Sequence, residues 1–280
     1  MADVKEYRLK AVKADAVVYS SVRPDSFRMS RNAQEAVEAS AGRINVDIIA
    51  TLTVEPIIEF DLFNIAQITA PTEVAALLFT LEAQDSGGYT GSGKISVSAK
   101  ALLVPVRISG SAGSPAMLTL RAYILSSDGS TAPFTVGTTD ITIATADQIY
   151  TVGASTVNST AVEGITSQAV DWGFNVATDV GLSGYLYPTH AFIQSAAPVA
   201  TFSTRNAINV VTATVNAGTE LAANAAAVIW DDKTGSTDKT FSLAKGLVTT
   251  DISGGTPSTV ELKVTGQDSD TTDTTFVVAS

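Results

Sequence analysis

Gly88, Gly93 and Lys94 stand at the spacing of a phosphate-binding loop, in which backbone amides cradle a phosphate and the lysine neutralises it. The chemistry fails one position later. Residue 95 is Ile, where such a loop needs Ser or Thr to hold magnesium, and Ile95-Ser96-Val97-Ser98 alternates as a strand. No helix N-terminus would then face a phosphate, so the segment reads as a glycine loop. Asp268, Asp270 and Asp273 could begin a calcium site, but the mid-loop Gly and the closing bidentate Glu are missing. A solvated hairpin turn is expected there. His190 is the single histidine, which excludes His-based metal clusters, and no nucleophile elbow precedes it. Asn158-Ser159-Thr160 has the form of a glycosylation acceptor, which carries no weight without export. Trp172 and Trp230 are expected to fill cores. No catalytic, cofactor-binding or metal site is assigned, no cofactor is expected, and the chain reads as not an enzyme.

The elements that would have to carry any site follow from composition. The 280 residues are 45% apolar and only 16% charged, a globular balance long enough to bury a core. Val, Ile and Thr are frequent and suit a pleated, half-buried surface, whereas long helical patterns are scarce. The absence of Cys removes disulfides, thiolate nucleophiles and Cys-based metal sites. Charges interrupt the first residues too often for a signal peptide, and no apolar run is long enough to span a membrane. Synthesis and folding in the cytoplasm without export are expected.

The net charge of −11 argues against clamping nucleic acid through its phosphates. It is unevenly placed. Residues 1–140 carry 12 basic and 15 acidic side chains, residues 141–280 carry 5 and 13. Two related halves of different charge suggest different neighbours for each, although drift of solvated surfaces gives the same pattern.

The halves are related by a repeat. Pro56, Phe60 and Asn64 return as Pro198, Phe202 and Asn206, each 142 positions later, and Gly42 returns as Gly184. Lys94, Ala99, Lys100 and Leu102 match Lys239, Ala244, Lys245 and Leu247 at 145, and Ile108-Ser109-Gly110 matches Ile252-Ser253-Gly254 at 144. Leu120, Ser127, Asp128, Phe134 and Val136 face Leu262, Ser269, Asp270, Phe276 and Val278 at 142 again. The matches are collinear, and the small length changes are expected in Gly/Ser/Thr-rich loops. The expected organisation is therefore two tandem domains, 1–140 and 141–280.

Each unit can be sketched. Strands over Asn45–Val54 and Ala191–Ser195 end at a proline, and a short strand resumes through Ile58 and Phe60. Asp61 is placed to cap a short helix over Leu62–Ile68, with a counterpart from Ser203 or Thr204 to about Val210. Strands follow at Val74–Leu81 and Ala225–Trp230, then turn-rich stretches at Gln84–Gly93 and Asp231–Asp238. A closing hairpin runs Ile95–Ile108, turns through residues 109–115, and returns over Met117–Leu125. In the second unit Val260, Leu262 and Val264 alternate with Glu261 and Lys263. The expected fold is mainly β (α+β): two tandem copies of a β-sandwich-like domain, each with about one short helix.

Trp172-Gly173-Phe174, then Gly184-Tyr185-Leu186-Tyr187-Pro188, then Pro198-Val199-Ala200-Thr201-Phe202-Ser203-Thr204 resemble part of a bacteriophage tail tube subunit. The first half offers a weaker version in Ser30-Arg31-Asn32, Gly42 and Pro56-Ile57-Ile58-Glu59-Phe60-Asp61, with Asn45-Val46 where the second half has Tyr187-Pro188. The resemblance implies a sandwich-like unit whose inner sheet joins neighbours into a ring, rings stacking into a tube for DNA. A fused pair is then expected to form homotrimeric, pseudo-sixfold rings in the virion. Its partners would be itself, other tail proteins and DNA passing an acidic lumen without specific binding, with no membrane involved. A capsid decoration or tail adaptor protein, and a tandem surface adhesin, are the alternatives.

Overall fold

The computed structural model describes residues 6–19, 21–38, 48–85, 88–143, 148–181, 184–206, 219–235, 237–253, 259–267 and 277–279. These are almost entirely strand. The first half holds β1 Glu6–Ala14, β2 Val17–Tyr19, β3 Arg28–Ser30, β4 Ala33–Glu38, β5 Ile48–Val54, β6 Ile57–Leu62, β7 Thr72–Asp85, β8 Gly88–Ser111, β9 Met117–Leu125 and β10 Thr135–Gly137. The second holds β11 Tyr150–Val152, β12 Thr156–Val157, β13 Thr160–Ala161, β14 Ile165–Asp171, β15 Asn175–Asp179, β16 His190–Ser195 and β17 Val199–Thr204. It continues through β18 Thr219–Leu221, β19 Ala226–Asp232, β20 Lys239–Leu243, β21 Gly246–Ser253, β22 Thr259–Gly266 and β23 Val277–Ala279.

Alternation sets the faces. β6 and β17 share one burial pattern in which every second residue is buried: Ile58, Phe60 and Leu62 in one, Ala200, Phe202 and Thr204 in the other. β22 buries Val260, Leu262 and Val264 and exposes Glu261 and Lys263, as a strand with one wet face must. Such strands lie side by side in the order β3-β6-β9-β8-β14-β17-β22-β21-β18, all antiparallel. A second layer covers the apolar face of this sheet. Over the first half it is β2-β1-β7 with the N-terminal part of β8; over the second it is β11, β12, β13, β19, β20 and β23. Rings stack across the layers: Phe60 meets Phe79 edge-on at 5.6 Å, and Trp172 meets Phe241 at 5.9 Å.

The strand registers recur along the chain. β6 pairs β9 with Ile57 opposite Tyr123 and Phe60 opposite Leu120; β17 pairs β22 with Val199 opposite Thr265 and Phe202 opposite Leu262, every partner 142 positions on. β4 and β5 form a hairpin in which Leu52 is an extra, bulged residue, and β15 and β16 form one in which Gln194 is. Ser30 opposite Ile57 has its counterpart in Asp171 opposite Val199. Thr72 opposite Leu103 corresponds to Thr219 opposite Val248. In the β8–β9 ladder Val106 is bulged between Pro105 and Arg107, whereas β21–β22 runs on without a bulge. The step from 145 to 144 in the repeat therefore lies at a strand bulge and not in a Gly/Ser/Thr loop.

Several local expectations change. The helix over Leu62–Ile68 is a single 3₁₀ turn, Ile65–Gln67, because the β6–β9 ladder continues through Leu62 opposite Leu118. Asp61 does not cap it: its carboxylate accepts from Thr119 Oγ1 at 2.7 Å, and Asn64 caps the turn by accepting from the Ala66 amide at 3.0 Å. Ser203 and Thr204 end β17, and residues 207–210 of the expected counterpart lie outside the described residues. Of the strand expected over Asn45–Val54, Ile48–Val54 is β5, and Asn45–Asp47 lie outside them. The Gln84–Gly93 stretch is mostly ladder, with β7 running to Asp85 and β8 starting at Gly88. β8 also continues past Ile108 to Ser111, held there by β14 from the other half.

Candidate functional site

The residues singled out for chemistry are dispersed. Gly88, Gly93 and Lys94 lie within β8, and the glycines take positive φ there as parts of a bent strand instead of a phosphate cradle. Lys94 spends its charge on Asp140. His190 opens β16, exposed, with Nδ1 2.9 Å from Thr189 Oγ1. Asn158 and Ser159 form the exposed turn of the β12–β13 hairpin. Trp172 and Trp230 are both buried in the core. Asp268, Asp270 and Asp273 lie outside the described residues. Among the described residues no group of His, Asp and Glu is arranged to hold a metal, and no helix is long and apolar enough to cross a membrane.

One charged cluster escaped the sequence reading. Lys10 on β1 reaches Glu82 on β7 at 2.9 Å and Asp140 at 3.0 Å, and Lys94 closes the chain onto Asp140. Glu82 is buried and also accepts the Gly91 amide at 2.7 Å. The bond from Lys10 is the main cause holding Glu82 below the usual carboxylate range, and the same bond raises Lys10. Asp140 is lowered chiefly by Lys94 and then by Lys10. With every charge matched, the cluster clamps β1, β7, β8 and the segment after β10; nothing in it is left over for a substrate. No local pattern marks it, since its members are 12 to 130 residues apart in sequence.

The distinctive feature is the junction of the halves. β14 pairs β8 with Ala169 opposite Ser109, Val170 opposite Ile108 and Asp171 opposite Arg107. Among the described residues it is the one strand pairing that joins one half's sheet to the other's. On the apolar face Val170 and Ile108 are fully buried. Behind them Gln168 is also buried: it donates to the Ile229 carbonyl at 2.6 Å and accepts from Ser155 Oγ at 2.7 Å. Gly110 leaves no room for a side chain, because a Cβ there would stand 2.8 Å from the Trp230 ring.

On the opposite face the β15–β16 hairpin of the second half lies over the first half's sheet. Val176, Ala191 and Ile193 pack on Leu102, Val104 and Tyr123. At the hairpin's far end Thr178 donates to Glu55 at 2.8 Å. The Leu186 and Tyr187 amides both donate to the Gly129 carbonyl at 2.9 Å. Gly129 has φ +72°, and a Cβ would sit 2.3 Å from the Tyr185 ring, so both the turn and the close approach require glycine.

Beyond the hairpin the outer face of the sheet is wet and built of small polar residues. Ser109, Ser111, Ser167, Thr201 and Ser203 line a shallow depression of about 550 Å³ across the junction. Ion pairs stand on the same face of the sheet. Arg121 holds Glu59 at 2.6 Å, and Arg107 stands 3.8 Å from Asp171, whose carboxyl burial pushes up and Arg107 partly restores. The lining of the depression carries one cation, Arg107, and one anion, Glu261, so it has no cationic excess. Scans of this chain against family models and curated proteins returned no match.

Proposed function

We propose that the chain is a structural protein made of two fused copies of one β unit, 1–140 and 141–280, that assembles with copies of itself. Its most specific form is the subunit of a phage tail tube, built into rings and stacked into a conduit for DNA in the virion. The observation that carries this reading is the junction itself. One half's β14 completes the other half's β8, and a repeating unit that docks head to tail in this way leaves one unused surface at each end of the chain.

Physical features of the sheet agree with such a role. Beyond the β15–β16 hairpin the face away from the core crosses the junction of the halves and is lined there with Ser and Thr, and a wall of this kind without cationic excess does not trap phosphates by counterion release. The chain's net charge of −11 adds a repulsive field toward DNA. No catalytic role is proposed: Lys94 is engaged by Asp140, and the exposed His190 by Thr189.

Negative-stain micrographs of the purified protein, with mass photometry on the same sample, test the reading. Rings or tubes with a central channel, in multiples of three chains, are the expected result. A uniform particle of one chain mass at high concentration would overturn self-assembly and return the protein to a decoration or adaptor role.

A further inference from the structure

Four large apolar side chains that the chain leaves in water have buried or half-buried counterparts at the junction of its halves. Val170 on β14 and Ile108 on β8 are each 0% exposed; the residues at the same register positions in the other half are Met29 on β3, 47% exposed, and Ile252 on β21, 62% exposed. Ala191 on the β15–β16 arm packs on the cluster of Leu102, Val104 and Tyr123; the counterparts of Ala191 and Leu102 are Ile49 on the β4–β5 arm, 73% exposed, and Leu247 on β21, 41% exposed. Met29 lies in the half whose β3 has no second partner, and Ile252 in the half whose β21 pairs β18 only as far as Val248. Among the described residues the outer edge of β3 and the edge of β21 over Thr249–Ser253 pair with no strand. Isolated exposed apolar residues need no explanation, but two pairs that fall on equivalent positions of one buried interface do.

Resting on the duplicated, self-assembling reading, we infer that a second copy of this chain repeats the junction: β3 of one chain adds to the free edge of β21 in the next. The register carried over from the junction is antiparallel, with Arg28 opposite Ser253, Met29 opposite Ile252 and Ser30 opposite Asp251. The β4–β5 arm then lies over Leu247 as the β15–β16 arm lies over Leu102. The partner is thus the opposite end of an identical chain. Because the two surfaces differ, the contact is heterologous and propagates until a ring closes or a filament grows. Pairing also removes two open sheet edges that would otherwise attract unrelated strands.

The natural chain has no Cys, so crosslinking reads the register directly. In the double variant Met29→Cys, Ile252→Cys the two thiols would face each other across an antiparallel pair, within reach of a disulfide. Oxidation of the assembled protein is expected to give covalent multimers on a non-reducing gel. Met29→Cys with Thr250→Cys, shifted by two residues, should give at least fivefold less. The single variant Ile252→Asp should keep the wild-type unfolding curve and lose assembly at concentrations where the wild type assembles. Wild-type rings with no 29–252 crosslink, or an Ile252→Asp protein that assembles normally, would overturn this interface and leave self-assembly standing. A wild type that stays monomeric would overturn both.

Discussion

Val170 and Ile108 stand directly opposite each other on β14 and β8, both without solvent exposure, where the two halves of the chain share one sheet. Truncating Ile108 to Ala should therefore cost about 2–5 kcal/mol, the usual range for a large buried aliphatic residue. The same change at Ile252, at the equivalent ladder position but 62% exposed, should stay within about 0.5 kcal/mol in the monomer. Urea unfolding of the two variants checks the contrast. Equal losses would mean that Ile252 is covered within the single chain.

Gln168 ties the shared sheet to the second layer through its side-chain amide. It donates to Ile229 O, and Ser155 Oγ, which donates to Gln168, accepts the Ile229 amide at 2.9 Å. Gln168→Leu keeps the bulk but takes the acceptor from the buried Ser155 hydroxyl, while the Ile229 carbonyl keeps the Gly153 amide at 2.9 Å. A buried group left without its partner costs about 1–3 kcal/mol, so the variant should be destabilised without change of secondary structure by circular dichroism. The place that corresponds to Gln168 in the first half holds Phe27, and there an edge-on contact of Phe27 with Phe79 at 5.3 Å spans the layers.

The Lys10, Glu82, Asp140 and Lys94 cluster links stability to pH. Glu82 and Asp140 are lowered, so the stability they contribute is present above the ordinary carboxylate pKa and is lost as pH falls through their depressed values. Lys10 is raised, so its share holds below the ordinary lysine value and is lost as pH rises through the folded one. Lys10→Met removes the main cause that keeps the buried Glu82 ionised. The variant should be most destabilised at neutral pH and approach the wild type in acid, where Glu82 is protonated in both. Thermal melts from pH 7 down to about 3 measure this. A constant difference across that range would show that Lys10 acts by packing alone.

Much of the strand pattern was legible because period-two alternation depends only on which face of a strand is wet. Met117–Leu125 and the Val260, Leu262, Val264 set are the plainest cases. Apart from the Gln84–Gly93 stretch, where β7 and β8 pair locally, the main failures trace to a partner distant in sequence. Nothing near Ser109 indicates that β8 continues to Ser111, because the strand that holds it there, β14, begins at Ile165. Asp61 looks like a helix cap until Thr119 supplies the bond that its carboxylate takes instead. The length step between Leu102 and Ile108 reads as a loop change, whereas Val106 is absorbed as a bulge inside a ladder. The junction itself is invisible to pattern, since Ile108 and Ile252 are the same residue at equivalent positions and only burial separates them.

The outer wall of the sheet gives the most direct test of a conduit. Ser109, Thr201 and Ser203 are half-buried, point away from the core and neighbour one another across β8, β14 and β17. Replacing all three by Lys adds positive charge to the face without touching the apolar side, so the monomer should lose no more than about 0.5 kcal/mol per site. If that face lines the channel, assembled wild-type protein should leave short duplex DNA in the supernatant on sedimentation at physiological salt. The assembled triple variant should carry DNA into the pellet and release it as salt rises, with a slope of about −0.9 in log K per phosphate neutralised. A triple variant that assembles yet behaves like the wild type places this face away from DNA. Wild-type particles that retain DNA to the same degree would contradict a non-adhesive wall, whichever face surrounds the channel.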